Sequence, residues 1–468
     1  MSVSDQTSIT FHGGAGTVTG ANFLLEVSPS TPLGTSRKFL IDCGLFQGGK
    51  IVEDKNREPF PYNPASIDAL LVTHAHLDHV GRIPKLVREG FHGVIYSTPP
   101  TRDIAELILT DSLGVMEKEA KAGNKPLLYR EADVRAAMNL WQTRGYEEKL
   151  ELGDANICFR DAGHILGSAM IEVLTVGPSS GGASRKIVFT GDLGNSPSPL
   201  LADTASVSDA DYLVMESVYG DRAHAGMSER RDKLEDAIEN TMRAGGTLMI
   251  PAFSIERTQE LLYEIEQMMA EGRIPEVPVY LDSPLAIQVT AVYKKYESYF
   301  NERVSDPDFI RDGLFNFRHL KKTLSTGESK AIPPAGRKVI IAGSGMSNGG
   351  RIIHHEKHYL VDPKNTLLLV GYQSVGSLGR QLQDGVRTVT ILGESVPVRA
   401  KVLTLSGYSA HRDRDGLLAF VELAADSLKK VFVAMGEPQV SFFLAQRIRD
   451  YLGLQAVVPR PGEKLVLD

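Results

Sequence analysis

The chain has 468 residues, 42% hydrophobic and 23% charged, with a formal net charge of −7. That length is too great for one ordinary core and predicts two or three domains of a soluble globular protein. The acidic balance argues against a broad, non-specific nucleic-acid-binding surface, but not against a nucleic-acid-cleaving cleft with a local basic patch or bound metal. The two cysteines, Cys43 and Cys158, lie far apart, suggest no disulfide framework and fit a reducing cytosol. The N-terminus is polar, with no apolar signal core, and no apolar run approaches the ~20 residues of a membrane span, so a cytoplasmic protein with no membrane partner is expected.

Short β-like runs open the chain at 9–11, 22–27 and 38–42, separated by glycine turns. The apolar stretch 69–73 reads as a buried strand, followed by a turn and then Gly81 and Pro84, as expected of a loop opening into a helix. Further strands are predicted at 93–97, 155–159, 169–174 and 186–190, with helices at about 102–122 and 130–142, which together suggest a layered α/β domain. The glycine- and serine-rich stretch 177–184 reads as a loop, a mobile hairpin. From about 210 the pattern becomes regular βα alternation. Strands at 212–215, 247–250, 278–281, 338–342 and 366–370 alternate with helices near 228–243, 256–270, 284–297 and 349–360, resembling a doubly wound parallel sheet. After about 386, strands at 388–391, 398–405 and 430–434 accompany amphipathic helices near 413–425 and 438–451. The predicted boundaries are thus 1–209, 210–385 and 386–468, with no internal repeat.

The most informative stretch is His74-Ala75-His76-Leu77-Asp78-His79, which holds three of the chain's 12 histidines and a carboxylate. On extended backbone, His74 and His76 project to the same side and can share one metal. Asp78 and His79 follow the turn and can reach a second. Zinc favours such ligands, and a dinuclear pair about 3.5–4 Å apart can clamp a water and a substrate oxygen. Two zincs need about seven or eight ligands. The remaining candidates are polar residues with small neighbours at predicted strand ends: Asp161 and His164, Asp192, and His411.

This constellation resembles the metallo-β-lactamase superfamily, whose motifs stand here as Asp42, the 74–79 run, His164 and Asp192. His411, within Ser409-Ala410-His411, resembles the last metal ligand of the β-CASP branch of RNA-processing nucleases. Glu216 matches that branch's acidic motif. The stretches 251–257, 281–284 and 345–351 look like its cleft-lining loops, and 371–379 looks like the segment before its second histidine motif. The resemblance runs over nearly the whole chain, in order. It implies an αββα metallo-β-lactamase sandwich with an inserted doubly wound parallel-sheet β-CASP domain, the two facing each other across a cleft.

Carried over residue by residue, one zinc would be held by His74, His76, His164 and Asp192, and the other by Asp78, His79, Asp192 and His411. Asp42 would accept from a ligand imidazole and fix its tautomer. The implied chemistry is attack on phosphorus by a hydroxide shared between two Zn2+ ions, with Asp78 orienting the nucleophile. Manganese or iron also suits a mixed His/Asp site. Substrate contacts are expected from Ser254, Arg257, Ser344, Arg351, Ser374 and Ser377, with the glycine loop 343–350 offering backbone amides to phosphate. Well-known RNA-cleaving members carry an acid histidine after the Gly-Tyr segment. Gln381 stands there instead, leaving Arg380, Glu216 or water to replace it. His354, His355 and His358 are assigned exposed or packing roles.

The implied substrate is single-stranded RNA, with endo- or exonucleolytic action open and a homodimer compatible. The alternatives are a non-catalytic RNA-binding or assembly subunit and a small-molecule metallo-hydrolase, the latter disfavoured by the βα insertion. With no additional RNA-binding or long dimerisation module visible at either end, a compact bacterial-type enzyme is expected.

Overall fold

Apolar residues spaced two apart become the two faces of strands in a computed structural model of the chain. Along Tyr212–Met215, Tyr212 and Val214 enter one core while Leu213 and Met215 enter another. The structure describes all residues except 1–5, 30–33, 49, 122, 124–125, 177–183, 225–226, 305–312 and 406, so the hairpin expected at 177–184 falls almost wholly outside the described residues. The chain divides into two units, one of Met1–Ala223 with His411–Asp468 and one of His224–Ala410.

The first unit contains two seven-stranded sheets. One runs Lys464–Val466, Ser8–Gly13, Asn22–Val27, Arg37–Ile41, Ala69–Leu71, Val94–Ser97, Trp141–Thr143. The other runs Ala456–Val457, Lys430–Val433, Tyr212–Met215, Arg185–Phe189, Ala169–Thr175, Ala155–Asp161, Leu150–Leu152. Their facing sides share a core in which Phe11 meets Phe432 at 5.8 Å and Phe23 meets Phe189 at 6.2 Å between ring centroids. The outer side of the second sheet packs Met170, Val188, Leu213 and Val431 against Leu417, Phe420, Leu444 and Ile448 of the helices Arg414–Glu422 and Pro438–Leu452. The helix Pro99–Lys121 packs beside Trp141–Thr143. The result is the αββα sandwich. The strands Trp141–Thr143 and Leu150–Leu152 escaped sequence reading because three residues carry too little periodicity.

The second unit holds a six-stranded, wholly parallel sheet: Leu320–Lys322, Val279–Leu281, Lys338–Ala342, Thr247–Pro251, Thr366–Leu369, Lys401–Thr404. Every residue of Thr247–Pro251 and Lys338–Ala342 is buried, as expected of central parallel strands covered on both faces.

The predicted domain boundaries need correction. Tyr212–Met215, placed at the start of the insertion, pairs in parallel with Arg185–Phe189 and Lys430–Val433 and belongs to the first unit. Thr388–Ile391 and Lys401–Thr404, assigned to the C-terminal completion, belong to the second. The boundaries fall at 223/224 and 410/411, not at 209/210 and 385/386. Local pattern marks a strand, but only its sheet partner assigns it to a unit. Among the described residues no helix is long and apolar enough to cross a membrane.

Candidate metal centre

The strand Ala69–Leu71 runs straight into the histidine run. His76 keeps an extended backbone (φ −67°, ψ 149°) and caps the short helix Leu77–Val80, so Asp78 and His79 sit on a helical turn, not in a loop. His74 Nε2 lies 3.1 Å from His76 Nδ1, and His164 Nε2 lies 3.3 Å from the same His76 atom. Asp192 Oδ2 is 3.4 Å from His74 Nε2 and 3.6 Å from His164 Nε2. These four residues form one group able to hold a metal ion. These spacings are of the size expected between ligand atoms that share one zinc, roughly 3.4 Å. Burial, reinforced by neighbouring imidazoles, holds His76 and His164 well below the usual histidine range, so both present the neutral rings that ligation needs.

Asp192 reaches the cluster through a close approach. It follows Gly191, whose backbone (φ +54°) lies so near Thr73 that a Cβ would come within 2.7 Å of that side chain. Burial works against ionisation of Asp192, but the His79 and His74 imidazoles outweigh it and hold its carboxyl well below the usual range.

On the other side of Asp192, His79 Nδ1 lies 2.7 Å from Asp42 Oδ2. A carboxylate accepts here, so Nδ1 carries a proton. Burial would lower His79, but the Asp192, Asp42 and Asp78 carboxylates hold it well above the usual range, so a metal at Nε2 would displace a proton. That Nε2 lies 3.4 Å from Asp192 Oδ1, and both atoms are buried without a hydrogen-bond partner. Asp78 Oδ2 stands 3.9 Å from the same nitrogen. A cation between these atoms satisfies them, so the residues fit the metal that the motif implies.

His411 arrives from far along the chain. It forms a bridge with Gly194, and Arg412 N–H donates to the Leu193 carbonyl at 2.8 Å. His411 Nδ1 lies 3.3 Å from Glu216 Oε1 and 3.9 Å from Asp192 Oδ2, and these three residues form a second metal-capable group. The first expected set is thus one group, but the second is not assembled as expected. His411 and Asp192 group with Glu216, while among the described residues Asp78 and His79 stand outside both groups, His79 3.4 Å from Asp192 Oδ1 and Asp78 3.9 Å from His79. Burial would lower His411, but Glu216 and Asp192 lift it to about 9. Glu216 is itself fixed by the Leu193 N–H at 2.7 Å.

Sequence reading missed three supporting residues. Thr73 donates its backbone N–H to Asp42 Oδ1 at 2.8 Å and its hydroxyl to Oδ2 at 2.7 Å. Asn22 Nδ2 donates to the Asp42 carbonyl at 3.0 Å, and the Tyr62 hydroxyl donates to Asn22 Oδ1 at 3.1 Å. Together they hold Asp42 at φ +58°, a conformation that costs about 1 kcal/mol or more for a residue with a Cβ. Thr73 was signalled by adjacency to the run. Nothing in the sequence signals Asn22 or Tyr62.

The expected substrate residues of the second unit are mostly occupied. Arg351 Nη1 donates to Asp282 Oδ1 at 2.6 Å and to the Thr323 carbonyl at 2.8 Å, and Nη2 donates to the Leu324 carbonyl at 2.8 Å. Arg257 is buried against Glu260, and Arg380 donates to Asp384 at 2.9 Å. Ser377 caps the helix Leu378–Gln383, accepting from the Arg380 N–H at 3.0 Å. Ser374 donates to Met346 Sδ, and Ser344 accepts from the Asn348 N–H. Ser254 is half-buried, and Gln381 is exposed. His355 packs inside and bonds Asp282 Oδ2 at 2.6 Å.

Histidines and carboxylates gathered at the strand ends of an αββα sandwich define a metal-dependent hydrolase. Residues 33–251 match the model of the metallo-β-lactamase superfamily, 258–382 that of the β-CASP domain, and 395–459 that of a Zn-dependent metallo-hydrolase RNA specificity domain. The chain belongs to the metallo-β-lactamase superfamily and, within it, to the β-CASP branch of RNA-processing nucleases. It is 40% identical over 412 residues to Ribonuclease TTHA0252 of Thermus thermophilus, covering 88% of this chain and 89% of that one. It is 32% identical over 464 residues to the transcription termination factor FttA of Methanosarcina mazei, covering 96% of this chain and 69% of the relative. An RNase J-like protein of Methanocaldococcus jannaschii is 33% identical over 434 residues, 91% of this chain and 93% of that one. A crystal structure of a protein of unknown function from Enterococcus faecalis shares the fold, with a TM-score of 0.54 and 12% identity over 99% of this chain and all of the other.

Proposed function

We propose that the protein is a dinuclear zinc ribonuclease that hydrolyses phosphodiester bonds of single-stranded RNA in cytoplasmic RNA processing or decay. The observation that carries this reading is the facing pair His79 Nε2 and Asp192 Oδ1, buried and without a hydrogen-bond partner beside the group His74, His76, His164 and Asp192. Ribonuclease TTHA0252, similar over most of its length, supplies the RNA. In this reading His74, His76, His164 and Asp192 hold one zinc, and Asp78, His79, Asp192 and His411 hold the other. When bound, the two ions supply Lewis acidity, favouring deprotonation of water and neutralising charge on phosphoryl oxygens. Asp42 keeps the proton of His79 on Nδ1. Asp78, whose side chain is 20% exposed, would orient the attacking water. Glu216 orients His411. Gln381 cannot donate a proton as an acid, which favours a second reading, a non-catalytic RNA-binding subunit.

The test is cleavage of 5′-labelled single-stranded RNA by wild type and by the double variant Asp78→Ala/His79→Ala, with zinc content measured on both. Two zincs per wild-type chain, cleavage, and loss of both in the variant support the enzyme, and the product ladder separates endo from exo action. Two bound zincs with intact RNA would reject the nuclease in favour of the binding subunit.

A further inference from the structure

The three arginines offered by the loops of the second unit each carry a carboxylate: Arg257 with Glu260, Arg351 with Asp282, Arg380 with Asp384. These loops are poorly equipped to grip phosphate by charge. They instead expose apolar surface at Phe253, Tyr372 and Val375. Phe253 is the built feature among them. It follows the buried strand Thr247–Pro251, and its carbonyl accepts the Thr258 hydroxyl at 2.7 Å, fixing its backbone. A Cβ on Gly345 would lie 2.8, 2.9 and 3.1 Å from Cδ2, Cε2 and Cγ of its ring. Near-equal distances to three consecutive ring atoms mean that Gly345 lies under the ring face. A side chain at 345 would push the ring off that seat. Gly345 is itself held by Gln373, whose Nε2 donates to its carbonyl at 3.1 Å, and the Gly379 N–H bonds the next carbonyl, that of Met346, at 3.1 Å. One ring face is therefore bedded on a braced loop, while the residue remains 44% exposed.

We propose that Phe253, laid flat on Gly345, is a stacking platform for one nucleobase of single-stranded RNA. The proposal rests on the RNA reading above and names how the second unit contributes to it. A nucleobase fits because it offers a flat π-face and needs no cation, and a preset ring loses little entropy when it stacks. Stacking on one aromatic residue typically changes affinity by a factor of about ten. It also differs from phosphate contact in its salt response, since each phosphate neutralised steepens the salt dependence and stacking does not.

The experiment measures KM, kcat and equilibrium binding of a labelled single-stranded oligoribonucleotide by wild type, Phe253→Ala, Phe253→Trp and Phe442→Ala. Phe442, 58% exposed on the helix Pro438–Leu452 of the other unit, controls for loss of any surface aromatic. Phe253→Ala is expected to raise KM about tenfold with kcat within about twofold, with an unchanged slope of affinity against salt. Phe253→Trp and Phe442→Ala should match wild type. A scan of oligonucleotides with single abasic positions then reads the contact itself. One position should weaken wild-type binding but leave Phe253→Ala indifferent. Wild-type binding that survives Phe253→Ala unchanged, or a variant that responds to every abasic position as wild type does, overturns the platform alone. Failure of the wild type to bind RNA at all overturns the platform and the RNA reading together.

Discussion

Each unit is organised around a buried aspartate at a strand end, and the two are treated in opposite ways. Asp282 in the inserted unit is fully buried and saturated. It accepts from Thr323, Arg351, Ser329 and His355, each at 2.6 Å. Asp192 in the sandwich is almost as buried, yet its Oδ1 has no partner and its imidazole neighbours stand at 3.4–3.6 Å. Burial therefore does not mark a functional carboxylate. What sets Asp192 apart is incomplete satisfaction among imidazoles, because a desolvated oxygen with no donor costs free energy unless something else, a proton or a cation, binds it, and imidazoles are ready to share a cation. The saturated aspartate is architecture, tying the 281–284, 323–329 and 351–355 stretches together. The unsatisfied one is the candidate binding group.

The sharpest break of this comparison is Asp282→Ala. It strands Arg351 without its counter-charge and His355 without its hydrogen-bond partner and should cost about 3 kcal/mol of stability, read as a lower urea midpoint, while zinc content per folded chain stays unchanged. A loss of zinc would show that the two aspartates are not separate in role. Asp42→Asn should do the reverse. It removes the acceptor that sets the His79 tautomer, so zinc affinity in a chelator competition should fall about 10–100-fold, with a smaller change in the metal-free melting temperature.

A finer test uses Glu356, buried beneath Ser347 in the glycine loop, with Oε1 taking the serine hydroxyl and Oε2 unpartnered. Burial pushes its carboxyl up to about 8, and the Ser347 hydrogen bond only partly opposes this. Between the ordinary value near 4.5 and about 8, the folded chain holds a proton that the unfolded chain has lost. Stability from this group therefore falls as pH rises through that window and levels off above it. Glu356→Gln should remove the slope, leaving the variant more stable than wild type at pH 9 and equal to it below pH 4. Urea melts at several pH values decide this, and parallel curves would reject a buried, protonated Glu356.

The lactamase-type core was legible because its signals are local. Alternation over five to seven residues marks a strand wherever it pairs, and the 74–79 run concentrates ligands where a strand ends. His164 and Asp192 were also recognisable as polar strand-end residues. The substrate residues were less legible. Arg257, Arg351 and Ser377 look available in sequence because nothing local shows which carboxylate or amide each will meet. The unit boundaries failed for the same reason, since 212–215 and 401–404 carry ordinary strand patterns and differ only in their partners.

By itself the sequence determined the types and order of the candidate ligands and the two sheet architectures, all of which follow from short-range periodicity and residue chemistry. Only the tertiary structure decided that Glu216 stands beside His411, that Asn22 and Thr73 pin Asp42, and that Phe253 lies on Gly345. Those contacts join residues from 20 to nearly 200 positions apart, or depend on a single close backbone approach. Folding alone fixes them, because the free energy that selects them is the burial and hydrogen-bond satisfaction of the assembled units, which no local stretch of chain contains.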